Sequence, residues 1–86
     1  MTLDDLRQRI DRIDEDIVRL LSERAGVAVE IGREKRRQGA PVVDPAREND
    51  VLGRVRRLNR GPMSDAAMDA LYRSIVRECS RLQEQG

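Results

Sequence analysis

Aliphatic side chains recur along the N-terminal part of the chain at alternating spacings of three and four: Leu3, Leu6, Ile10, Ile13, Ile17 and Leu20, then Val27 and Ile31. That spacing is a heptad seam, the pattern of a helix lying against another helix. Thr2 stands ahead of the seam as a candidate N-cap, with Asp4 and Asp5 in the positive first turn. "REKRRQG" closes it: cations fill the last turn up to Gln38, Gly39 takes the C′ position and Pro41 lies beyond. "DPARE" opens a second helix, with Asp44 as N-cap, Pro45 at N1 and an apolar set at Val51, Leu52, Val55 and Leu58, ending near "NRGP". A third helix starts at Ser64 and carries Ala67, Met68, Leu71, Tyr72, Ile75, Val76, Cys79 and Leu82 on one stripe. Nothing alternates with period two. The expected fold is all-α: three helices, one long and two shorter, in one domain over residues 1–86.

Helix length extends this picture beyond one chain. A first helix of about 36 residues is about 54 Å long, whereas a small domain is about 30 Å across. Two shorter helices cannot cover the whole seam, so a second copy of the long helix must. The pattern predicts an intertwined homodimer.

Composition narrows the function. Seventeen Lys and Arg against 16 Asp and Glu nearly cancel, which argues against a general nucleic-acid binder or an anionic-membrane binder. The basic run Arg54, Arg56, Arg57 and Arg60 has no interleaved aromatics and reads as a solvated face. One cysteine, Cys79, excludes an intrachain disulfide and points to a reducing, cytoplasmic compartment. The N-terminal "MTLDDLRQR" has acids and no apolar core, so no secretory leader is expected, and no apolar run approaches a membrane span. The chain has no histidine, which removes the commonest general base and metal ligand.

The seam itself holds the first candidate for chemistry. In "LLSERAGVAVEI", residues 20–31, it turns polar once, at Arg24. A guanidinium there either fixes register, as polar seam residues do, or meets a ligand or partner that satisfies it. Lys35 lies about 16 Å further along nearly the same face; alone it is a cation at a helix C-terminus, but with Arg24 it can converge on a small anion. Arg7 borders the seam about 25 Å from Arg24 on the same helix, too far for both to hold one ligand within a chain but not across an antiparallel dimer. Arg47 and Glu48 stand in the first turn of the second helix, where backbone N–H groups are also free. Gln83 reads as a surface residue and Cys79 as a small buried hydrophobe.

Taken together, "LRQRIDRIDEDIVRLLSERAGVAVEIGREK", "PVVDPAREN" and "LYRSIVRECSRLQ" resemble the all-helical class of chorismate mutase over nearly the whole chain. The resemblance implies an intertwined dimer with two sites, each borrowing one arginine from its neighbour, that rearranges chorismate to prephenate without cofactor or metal. It implies that Arg24, and Arg7 across the dimer, hold the two substrate carboxylates, and that Lys35 and Gln83 meet the ether oxygen. Glu48 and the backbone at Asp44 would take the ring hydroxyl, and Arg47 would complete the polar wall. Where the family often has a carboxylate-touching serine four residues before the glutamine, this chain has Cys79, with Ser80 beside it; a thiol is a poor donor, and the resemblance leaves that contact open. A concerted rearrangement needs no proton shuttle, so the missing histidine is no obstacle. It needs a preorganised cage and donors where charge grows on the ether oxygen.

Three rivals fit parts of this pattern. An isochorismate pyruvate lyase or an aminodeoxychorismate mutase would share the cationic cage and differ around the ring substituent, near Glu48. A non-catalytic helical dimerisation module would use Arg24 only for register. A nucleic-acid-binding helix would show steep salt dependence, which the near-zero net charge disfavours.

Overall fold

Thr2 and Asp5 fix where the chain becomes helical. The Asp5 N–H donates to Thr2 Oγ1 and the Thr2 N–H donates to Asp5 Oδ2, each at 3.1 Å, a reciprocal capping box. From there α1 runs Leu3–Gln38, and a computed structural model describing residues 1–85 adds α2 (Pro45–Leu58) and α3 (Asp65–Gln85). Gly39 ends α1 at φ 69°, where a side chain would be strained. Its N–H reaches the Arg36 carbonyl at 3.2 Å and the Ala40 N–H reaches that of Lys35 at 2.8 Å. Asp44 caps α2 by accepting the Arg47 N–H at 3.1 Å, and Ser64 caps α3 by accepting the Ala67 N–H at 3.1 Å. Between them, the Asn59 amide bridges the Met63 carbonyl and Asp65 Oδ1, both at 2.9 Å. All three helices begin where their N-caps place them, α1 and α2 also end at their C-caps, and no strand occurs among the described residues.

α3 packs on both α1 and α2, and the buried centre is small. Ala28 and Gly32 of α1, Leu52 of α2 and Cys79 of α3 form it. The predicted stripes reach it unevenly: Tyr72, Ile75, Val76 and Leu82 are half-buried, whereas Leu58, Ala67 and Leu71 face outward. Arg54, Arg56, Arg57 and Arg60 are all exposed. Among the described residues no helix is long and apolar enough to cross a membrane.

The N-terminal half of α1 stands clear of everything else. The molecule measures 55 × 23 × 15 Å with a radius of gyration of 15.9 Å, against about 12 Å for a globular chain of this length. Residues 1–23 are all exposed, including Leu6, Ile10, Ile13, Ile17 and Leu20 of the seam. The chain exposes 6820 Å²; a compact monomer of its mass exposes about 5,200 Å². The elongated shape accounts for the surplus, and it leaves a continuous apolar stripe along α1 in contact with water.

Candidate active site

A cleft of about 350 Å³ opens between the C-terminal half of α1, the start of α2 and the end of α3. Arg24 and Lys35 reach it from α1, Asp44, Arg47 and Glu48 from the α2 N-terminus, and Gln83 from α3. Val27, Ile31, Val51 and Val76 supply its apolar walls. Six of the seven residues singled out from the sequence therefore line one cavity. Arg7 does not; it is exposed on the projecting part of α1.

Helical period explains why α1 delivers both of its cations. Arg24, Ala28, Ile31 and Lys35 follow steps of four, three and four, one face of the helix. Arg24 is half-buried, and its guanidinium lies 5.8 Å from the centroid of the Tyr72 ring, a cation–π stack that orients the fork. Among the described residues no carboxylate pairs with it, so its N–H donors remain for an anion. Lys35 is more tightly constrained. Its Nζ donates to the Val42 carbonyl at 2.8 Å and to Gln83 Oε1 at 3.1 Å. An ammonium has three donors, which leaves one for the cleft. Because Lys35 only donates, it also fixes the Gln83 amide with its oxygen towards Nζ. The Gln83 NH₂ is then a second donor beside the first.

The main chain of Gln83 is held as firmly as its side chain. A Cβ built on Gly32 would lie 2.6 Å from the Gln83 carbonyl oxygen and 2.8 Å from its Cα, so the two helices cross backbone to side-chain-free backbone. The Arg36 guanidinium then caps the same carbonyl, Nη1 to oxygen 2.6 Å, satisfying one of the carbonyls left unpaired at a helix end. On the α2 side, Ser80 Oγ donates to Glu48 Oε1 at 2.9 Å, while Asp44 is engaged as the cap. Cys79 is buried and lines the same cleft. Among the described residues no group of three or more Cys, Asp or Glu is placed to hold a metal ion.

The sequence pattern missed Gly32, Arg36, Tyr72, Ser80 and the Val42 carbonyl. A glycine inside a helical run is itself a signal of close approach, and Gly32 could have been found that way. The Val42 carbonyl leaves no trace in a side-chain pattern.

Comparison with known proteins gives a consistent result. A family model for chorismate mutase type II matches residues 6–84. The bifunctional chorismate mutase/prephenate dehydratase of Aquifex aeolicus is 39% identical over 87 residues, which cover 96% of this chain and 24% of that protein. The protein of the same description from Neisseria gonorrhoeae is 45% identical over 82 residues, covering 91% of this chain and 22% of that one. This chain thus spans about a quarter of the length of those relatives. The chorismate mutase of Methanocaldococcus jannaschii is 30% identical over 84 residues, covering 96% of this chain and 85% of that protein. The form II structure of chorismate mutase from Thermus thermophilus superposes with a TM-score of 0.92 at 36% identity, covering 95% of this chain and 93% of that one.

Proposed function

This chain belongs to the chorismate mutase type II family, and we propose that its cleft rearranges chorismate to prephenate. The observation that carries the proposal is the Lys35–Gln83 pair. Two N–H donors, both fixed by hydrogen bonds to protein groups, face one cavity that also holds an unpaired arginine. That arrangement suits a substrate with anionic groups and an oxygen on which charge develops.

In this reading Arg24, stacked on Tyr72, grips one substrate carboxylate, and Arg7 of the partner subunit grips the other. Lys35 and the Gln83 NH₂ donate to the ether oxygen as its C–O bond breaks. Glu48 accepts from the ring hydroxyl next to the backbone at Asp44, and Arg47 closes the polar wall. The electrons move within the substrate, so the protein supplies geometry and charge rather than protons. The enzyme is an isomerase acting as one domain over residues 1–86, as a homodimer, in the reducing cytosol that its lone thiol suits. The exposed seam of α1 supports the dimer.

Loss of chorismate absorbance on adding purified protein, with prephenate identified as product, tests the reading. Arg24→Ala should abolish most of that rate. Isochorismate and aminodeoxychorismate supplied separately should be poor substrates; a preference for either, or an Arg24→Ala variant as active as the parent, overturns the assignment.

A further inference from the structure

Glu48 and Ser80 form a hydrogen bond that the assigned roles do not use. Both side chains are half-buried and both line the cleft. Among the described residues, theirs is the side-chain hydrogen bond that joins α2 to α3. An ionised carboxylate can only accept, so the serine proton must point at Glu48 Oε1. The hydroxyl is therefore already committed. With its proton on Glu48, it is not a substitute for the carboxylate-touching serine in whose place this chain has Cys79.

The spacing on α3 gives this bond its meaning. Ser80 and Gln83 are three residues apart and so neighbours on one face. Gln83 holds Lys35 of α1; Ser80 holds Glu48 of α2. One helix face thus sets the polar groups that reach the cleft from both other helices. With Oε1 occupied, Oε2 is the oxygen of Glu48 left for a ligand. Fixing a long side chain before the ligand arrives removes its freedom in advance, which favours a donor at one position over a substrate without it.

We infer that Ser80 is a positioning residue for ring-hydroxyl recognition: it aims Glu48 Oε2 at the substrate hydroxyl and so selects ring-hydroxylated dianions over those lacking that donor. The inference rests on the mutase reading above and adds a specificity element to it.

Steady-state kinetics of the parent protein, Ser80→Ala and Ser80→Thr tests it, with chorismate and with the analogue that carries hydrogen in place of the ring hydroxyl. Ser80→Ala should lower kcat/KM for chorismate by roughly 10- to 100-fold, the rate equivalent of a hydrogen bond to a charged group. It should leave kcat/KM for the analogue within about twofold. Ser80→Thr, which keeps the hydroxyl, should restore most of the chorismate rate. Glu48→Gln combined with Ser80→Ala should be no slower than Glu48→Gln alone, because the serine acts through the glutamate. Equal losses on both substrates would reveal a purely structural role and overturn the inference, as would an unchanged chorismate rate in Ser80→Ala. A parent protein that leaves chorismate untouched would overturn the mutase reading itself, a separate result from either.

Discussion

On the proposed reading, Lys35 is the residue on which the chemistry turns. Two of its three protons are engaged by Val42 and Gln83, and that engagement fixes the direction of the third. A donor held in this way needs no reorganisation when charge appears opposite it, and removal of one such donor costs about 100- to 1000-fold in rate. Lys35→Ala should lower kcat by that factor with little change in KM, measured by chorismate consumption; an effect confined to KM would move Lys35 out of the transition state. Lys35, Arg24, Glu48 and Gln83 were legible in the sequence: helical period puts the first two on one face, the first turn of α2 marks Glu48, and the family resemblance supplied Gln83. Ser80 and Tyr72 were not, since each matters only through a neighbour on another helix.

At the scale of the helices, the ends were readable and the crossing was not. Thr2, Gly39, Asp44 with Pro45, and Ser64 act within a few residues of themselves, so local chemistry decides the boundaries without tertiary context. Where α3 meets α1 depends on both helices at once. Gly32→Ala tests that crossing: the new Cβ would meet Gln83 backbone at 2.6 Å, and backbone cannot swing aside as a side chain can. Such overpacking costs about 1–3 kcal/mol, or at least about 4 °C in Tm for a domain of this size. Because α3 carries Gln83, kcat should fall with Tm; melting and turnover measured at one protein concentration check the pair. A second test concerns the start of α1. Hydrogen bonds from the Thr2 backbone and then its side chain hold the Asp5 carboxyl below its ordinary 3.8, and the Arg37 guanidinium holds that of Glu34 below 4.5. Lowered carboxylate values in the folded state mean stability that is full above the unfolded value and lost as pH falls through the folded one. The part of the stability that these two carboxylates contribute should therefore fade as pH falls below about 4.5, and Asp5→Asn should flatten part of that decline in thermal melts.

At the scale of the whole molecule, the single chain leaves an apolar seam uncovered, and the same segment carries a cation that the proposed site needs. The seam from Leu3 to Leu20 is exposed, and on that same bare segment sits Arg7, about 25 Å along α1 from Arg24. On the proposed reading, an antiparallel second copy would cover the seam and bring its Arg7 to the cleft in one stroke, so folding, assembly and activity should be inseparable. Sedimentation at micromolar concentration should find a dimer. A sharper test mixes two defective proteins. Arg7→Ala and Arg24→Ala should each be nearly inactive alone, since every site in either homodimer lacks one arginine. After joint unfolding and refolding at equal amounts, half the dimers are mixed. In each of these, one site takes Arg24 from the Arg7→Ala chain and Arg7 from the Arg24→Ala chain. That site is intact and the other lacks both. Activity should return to about a quarter of the parent's, as two-fold symmetry with shared sites requires. If both arginines served the same chain's cleft, every chain in the mixture would carry a lesion in its own site, and mixing would restore nothing.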